Sequence, residues 1–331
     1  MKCYIKLLLL LLLFSLLSAN FIKAQTNDSS LILGEYSITK VIDGDTFKFE
    51  GLEGSGRLLC IDTEETFKGQ DALQKTNEIS KIWHENYQSV RDSSNMPVKT
   101  QSPFGYKAWQ WAKDFMENVK YVRLERDNNE RTVGTYGRSL VYVIAYKDGE
   151  EINYNIECIR QGYSPYFNKY GDSRKFHDEF VKAQNFAKEN KLGIWDTNEQ
   201  CYPDYEERIT WWNERASQMK SFEDNYSYVD NYINLYNDDA YSILAGFENE
   251  EVVVFGSISD VLMKKLPYLI RIPYANRKDF DVVIFEENAN LVNEIDIDEL
   301  KEYNVYVRGT LTQYKDGYQI VLKNKDQIWM E

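Results

Sequence analysis

The chain has 331 residues, 43% of them hydrophobic and 15% aromatic, which is enough for ordinary cores and excludes intrinsic disorder. At roughly 100–200 residues per domain the length points to two domains. The net charge of −14 opposes tight non-specific binding to a polyanion, and two histidines exclude chemistry that needs a histidine cluster.

Residues 1–24, MKCYIKLLLLLLLFSLLSANFIKA, read as a secretory signal peptide. Lys2 and Lys6 give a basic start, residues 7–17 form an apolar run too short to span a bilayer comfortably, and small residues follow at Ser18, Ala19 and Ala24. Cleavage is expected after Ala24, and an uncleaved anchor is the alternative. Export to the periplasm or out of the cell follows, with no membrane attachment once the leader is gone. The remainder keeps Cys60, Cys158 and Cys201, an odd number that cannot be fully paired. A Cys158–Cys201 bridge stays open, and with no CxxC pair a cysteine zinc site is not expected.

In residues 25–200 the pattern predicts three strands (EYSITKVI, DTFKFE and RLLCID), the helix FGYKAWQWAKDFMENV, two strands (YVRLERD and RSLVYVIAY) and two further helices that begin at Glu150 and Ser173. This is an α+β unit whose five antiparallel strands are expected to curl into a small OB-type barrel with three helices, closed by Trp195. A polar stretch at 67–103 interrupts it. Residues 201–245 are acidic and aromatic and read as a helical connector, with a third small domain as the alternative. Residues 246–331 return to strands, with a short helix at Glu299–Tyr303 before the fourth, and match a second OB-like barrel. Gly256 and Gly309 inside strand patterns predict bends or bulges. Most of the acidic excess lies after residue 200. The basic-aromatic cluster Tyr268, Arg271, Tyr274, Arg277 and Lys278 is the one feature that would make this domain a nucleic-acid platform.

VIDGDTF and GRLLCIDTEET crowd Asp45, Asp62 and Glu65 together. Asp45 follows a tight Asp-Gly turn and Asp62 ends the third strand, so a meander brings both carboxylates to one sheet edge. Glu65 reaches the same place from the loop. Like charges there repel and raise one another's pKa, and a hard cation with oxygen ligands relieves the repulsion. Solvated turn acids are the alternative. Arg57 and Arg138 add planar donor forks suited to phosphate oxygens, although an arginine alone is more often a surface ion-pair partner.

These segments, together with RTVGTYGRSLVYV, NIECIRQGYSPY and AQNFAKENKLGIW, resemble the staphylococcal-nuclease-like (thermonuclease) family in its order over about residues 36–196. The resemblance implies that Asp45, Asp62 and the backbone carbonyl of Thr63 ligate a catalytic Ca²⁺. It implies that Glu65 orients or deprotonates the attacking water, and that Arg57 and Arg138 hold the scissile phosphate. Tyr166 and Tyr170 would lie against the nucleotide. The implied reaction is endonucleolytic hydrolysis of DNA and RNA, leaving 3′-phosphate ends, with nucleic acid bound transiently. A catalytically inactive nuclease-fold binding or scaffold protein of the cell envelope is the rival reading.

The sequence departs from the family in three places. Glu64 replaces the usual proline and is expected to add an acid beside the metal. The loop before Arg138 is one residue longer and lacks its acid. The insertion at about 67–103 directly follows Glu65, where it could lid the site, narrow substrate choice or mediate contacts.

Overall fold

A computed structural model describes residues 29–274 and 278–331, in two sheets joined by a long helix. The expected signal peptide and Arg277 lie outside the described residues.

The first sheet holds seven strands. β1 (Ile32–Tyr36), β2 (Ile38–Val41), β3 (Thr46–Phe49), β4 (Gly56–Leu58), β5 (Val122–Glu125) and β6 (Ser139–Lys147) run in the spatial order β1-β5-β6-β4-β3-β2, and β7 (Glu150–Asn153) pairs with β6. Seven strands replace the expected five for two local reasons. EYSITKVI breaks at Ser37, and its halves pair with different partners, β1 with β5 and β2 with β3. The stretch after Glu150, expected as helix throughout, begins as β7. The helix starts at Tyr154 because the Asn153 side chain accepts hydrogen bonds from the Asn155 and Ile156 amides.

β1 and β2 are one residue apart in the chain yet occupy opposite ends of the strand order, so the sheet must roll until its ends meet at Ser37. It is OB-like without a ladder that closes the barrel. Against it pack α3 (Pro103–Met116), α4 (Tyr154–Arg160) and α5 (His177–Glu189), around a core that includes Phe47, Val143, Tyr154 and Phe180.

The insertion is more ordered than its polarity suggests. It forms α1 (Ala72–Ser80) and α2 (Trp83–Arg91), and Trp83 and Tyr87 pack with Phe104, Ile194, Tyr202 and Tyr205. Tyr205 opens α6 (Tyr205–Tyr226), the connector helix. The buried Arg208 of α6 faces the insertion, bonding the Tyr87 hydroxyl. Arg215, also buried, faces the second sheet and bonds Asn304. A helix buried on both flanks needs no single apolar stripe, so the amphipathic signal of a surface helix is absent.

The connector is not helical throughout. Residues 232–234 form β8 (Tyr232–Asn234), which pairs in parallel with β9 (Glu251–Ser257); α7 (Ala240–Ala245) lies between them. The second sheet continues with β10 (Asp260–Leu262), β11 (Tyr268–Tyr274), β12 (Lys278–Ile284), then α8 (Ile297–Leu300), β13 (Asn304–Tyr314), β14 (Gly317–Val321) and β15 (Ile328–Trp329). Its order is β10-β11-β12-β14-β13-β9-β8, with β15 on β13. Gly256 and Gly309 make no bulge: β9 and β13 keep an unbroken register through both. A Cβ at either position would meet an isoleucine Cγ2 at 2.6 Å, so these glycines serve close packing instead.

Candidate active site

Asp45 and Asp62 are joined through Arg57. Asp45 stands just before β3, Arg57 lies in β4 opposite Thr46, and its two terminal nitrogens diverge. Nη1 pairs with Asp45 Oδ2, and Nη2 meets Asp62 Oδ1 at 2.6 Å. The expected β4 run RLLCID stops at Leu58. Cys60 is buried with φ of 62°, a left-handed conformation costly for a residue with a Cβ, and it turns the chain so that Asp62 comes back towards Arg57. The Asp62 amide then donates to Ser164 Oγ at 2.8 Å.

Asp45 is tied on both oxygens: Thr46 Oγ1 donates to Oδ1 at 2.9 Å, and the Thr63 amide donates to Oδ2 at 3.1 Å. The Tyr154 hydroxyl fixes the preceding turn by donating to the Gly44 carbonyl at 2.8 Å. Burial pushes the Asp45 carboxyl up to about 6, with Arg57 acting against the rise. Asp62 goes the other way. Burial would raise it, but Lys99 and Arg57 hold it below the usual carboxylate range.

Arg138 immediately precedes β6, whose Ser139 is paired with Gly56 of β4, so the two arginines stand on neighbouring strands. Arg138 Nη1 reaches Thr46 Oγ1 at 3.4 Å, and its guanidinium lies 5.8 Å from the Tyr136 ring. No carboxylate among the described residues lies within ion-pair distance of it. Arg57, Arg138, Asp62 and Tyr170 all line a cavity of about 400 Å³, to which Ala216 and Met219 of α6 also contribute.

Glu65 is half-buried, and its carboxylate makes no hydrogen bond or ion pair among the described residues. Its backbone is fixed instead, because the Ser102 amide donates to its carbonyl at 3.0 Å. The expected cluster of three acids is therefore a pair: among the described residues no three His, Cys, Asp or Glu groups converge as metal ligands. The carboxylates of Asp45 and Asp62, held on either side of Arg57, are oxygen donors of the kind that suit a hard divalent cation. The buried Asp45 carboxyl, half-way to neutrality near pH 6, would be held ionised by such a charge.

Glu64 does not join that set. Its carboxyl is 2% exposed and turned away, with Ser102 Oγ donating to Oε2 and the Tyr202 amide and Tyr205 hydroxyl donating to Oε1. Burial, opposed by these three donors, pushes it up to about 7. Gly105 allows the contact between α3 and this loop, since a Cβ there would lie 2.1 Å from the Glu65 carbonyl oxygen.

Tyr170 lines the cavity, with the Arg131 guanidinium 4.4 Å from its ring. Tyr166 does not. It is 5% exposed, stacked on Phe180, and its hydroxyl accepts from the Ser173 amide, so it is a core residue with no face for a nucleotide. The thiols Cys60, Cys158 and Cys201 are free, Cys158 lying in the core beneath the sheet.

Spacing could not have found Lys99. It comes from the insertion, and its Nζ lies 2.6 Å from Asp62 Oδ1. Tyr202, Tyr205 and Arg208 were equally hidden, since nothing local marks a connector residue as a support of the site.

Residues 57–197 match the model of the staphylococcal nuclease homologue family, a range that holds every site residue expected from the sequence except Asp45. An uncharacterized protein of Methanocaldococcus jannaschii is 31% identical over 48% of this chain and 70% of its own length. Two Bacillus subtilis proteins named as endonucleases are similar: the SPbeta prophage-derived endonuclease YokF at 28% identity, over 50% of this chain and 45% of its own, and endonuclease YncB at 27%, over 48% and 60%. The chain thus spans about half the length of these two endonucleases. The chain belongs to the staphylococcal nuclease homologue family.

Proposed function

We propose that the protein is an exported, calcium-dependent phosphodiesterase that cleaves DNA and RNA endonucleolytically and leaves 3′-phosphate ends. The observation that carries this reading is one cavity lined by Arg57, Asp62 and Arg138, in which Arg57 also pairs with Asp45 and Arg138 makes no ion pair among the described residues. A phosphodiester entering there meets two guanidinium forks able to bind its non-bridging oxygens and stabilise the charge that develops on them. Glu65, its carboxylate uncommitted, would orient the attacking water or accept its proton. Asp45, Asp62 and the Thr63 carbonyl would hold the cation, which supplies positive charge at the phosphoryl oxygen. Tyr170 offers a ring beside the nucleotide.

The second sheet reads as an OB-like domain. Its order β11-β12-β14-β13-β9, with β12 and β14 parallel, supports this. Its proposed role is structural. Tyr274 is buried, Arg271 pairs with Asp281, and Lys278 lies 3.6 Å from the Tyr241 ring, which spends most of the basic-aromatic cluster internally. No helix among the described residues is long and apolar enough to cross a membrane.

The test is cleavage of single- and double-stranded DNA and RNA with Ca²⁺ and then with chelator, with end-group analysis of the products. Absence of cleavage on all four substrates would favour the inactive binding protein.

A further inference from the structure

The insertion places one more cation at the cavity. Lys99 Nζ shares Asp62 Oδ1 with Arg57 Nη2, each at 2.6 Å, and both side chains line the same cavity as Arg138. An exposed lysine paired with a carboxylate is ordinarily worth little and is held loosely. This one is presented by a clamped backbone. On one side, the carbonyl of Val98 accepts from Arg208 Nη2. On the other, the Tyr202 hydroxyl accepts from the Thr100 amide at 3.0 Å and donates to the Thr100 carbonyl. Arg208 is 2% exposed, and its remaining bonds go to Asp204 and the Tyr87 hydroxyl, both at 2.7 Å. A buried guanidinium is costly unless fully bonded, and here part of its bonding goes to fixing residues 98–100 of the loop between α2 and α3. One residue further, Gln101 bridges to Glu65. The segment is thus fastened to the connector on one flank and to the site loop on the other.

We propose that Lys99 is a phosphate-contact residue, supplied by the insertion and positioned by Tyr202 and Arg208 of the connector. This rests on the phosphodiesterase reading given above. The side chain is about half exposed, so its four-carbon stem can swing from Asp62 to a substrate phosphate without backbone movement. An anion between Arg57 and Arg138 then meets a third positive charge. In a chain of net charge −14 each such contact weighs heavily on association. The insertion is in this sense a part of the binding surface and not a lid over it.

The test measures binding without turnover, in a Glu65→Gln background, by fluorescence anisotropy of a labelled single-stranded oligonucleotide at several salt concentrations. Lys99→Met should raise the dissociation constant about tenfold, as expected for loss of a charge-assisted contact. It should also lower the slope of log affinity against log salt by about 0.7, the value of one released counterion on a single strand. Lys99→Arg should restore both. Calorimetric titration with Ca²⁺ should show binding no weaker in Lys99→Met, because a competing cation has left Asp62. An unchanged salt slope with weaker Ca²⁺ binding would mean that Lys99 only orients Asp62, and would overturn the proposal. For the positioning residues, Tyr202→Phe should weaken binding when Lys99 is present and have no effect in the Lys99→Met background. Equal losses in both backgrounds would overturn that half. Loss of the phosphodiesterase reading shows separately, as a wild-type protein that cleaves nothing.

Discussion

Glu64 and Ser102, 38 residues apart, share a buried hydrogen bond in which Ser102 Oγ donates to Glu64 Oε2. The same hydroxyl accepts from the Gly105 amide at 2.8 Å and so caps α3. The other Glu64 oxygen holds the start of the connector through Tyr202 and Tyr205. One carboxyl thereby fastens the loop between Asp62 and Glu65 to a helix and to the connector. Where the family's proline would stiffen the loop from within, Glu64 fixes it from outside.

This joint should make stability depend on pH. The folded pKa of Glu64, about 7, lies above its ordinary value of 4.5. The folded state then holds more protons than the unfolded state between those values. The contribution is complete below about pH 4.5 and is lost as pH rises through 7, by up to about 3 kcal/mol. Melting temperature measured with chelator present should therefore fall between pH 5 and 8 more steeply in the wild type than in Glu64→Gln. Parallel curves would refute the assignment.

Strand and helix content was legible where periodicity was strong, as in RSLVYVIAY and the helix after Pro103. It failed where pairing decided the outcome. Nothing local tells that Ile32–Tyr36 and Ile38–Val41 go to opposite ends of one sheet. That Asp45, Arg57 and Asp62 come together was readable because each sits in or beside a strand that the pattern already located. Tyr166 was misplaced because a tyrosine in a loop looks the same whether it faces a ligand or the core. Glu64 was misplaced because its partners, Ser102, Tyr202 and Tyr205, lie 38 to 141 residues away. Lys99 was invisible for the same reason, since its role depends on a clamp built from the connector.

The first unit was expected to be self-sufficient, closed at Trp195. The structure leads to a different expectation for a chain truncated after residue 200. Removing Tyr202, Tyr205 and Arg208 opens the apolar cluster around Trp83 and Tyr87 and takes two donors from the buried Glu64 carboxyl. Leaving a buried carboxylate short of partners costs about 1–3 kcal/mol per lost bond. The truncated protein should melt well below the full chain and lose most activity, whereas a chain ending after residue 226 should retain more of both. Equal activity of the 1–200 form and the full chain, with folding checked by circular dichroism, would show that the connector is dispensable.

Replacing Arg57 or Arg138 by alanine, or Glu65 by glutamine, should each lower turnover at least about 10²-fold, the scale of losing one preorganised electrostatic contact to a transition state. The variants should differ in stability. Arg57→Ala leaves Asp45 and Asp62 buried without their shared guanidinium, so it should also lower the melting temperature. Arg138→Ala breaks no ion pair among the described residues and should leave melting unchanged. Near-normal rates in two of the three variants would remove these residues from the chemistry.

Activity should require Ca²⁺, with Mg²⁺ a poor substitute. Asp45 and Asp62 are fixed by hydrogen bonds to Thr46, Thr63 and Arg57. Ca²⁺ tolerates six to eight oxygen ligands in flexible geometry, whereas Mg²⁺ demands a near-ideal octahedron and gives up water reluctantly. A cation that binds only the folded chain should also stabilise it, by about 2.7 kcal/mol at a hundredfold excess over its dissociation constant. Thermal melts across a Ca²⁺ titration read this directly and need no substrate. Asp62→Asn should abolish both the shift and the activity. Full cleavage in excess chelator, or a melting temperature that Ca²⁺ does not move, would show that the two carboxylates hold Arg57 and Lys99 and nothing more.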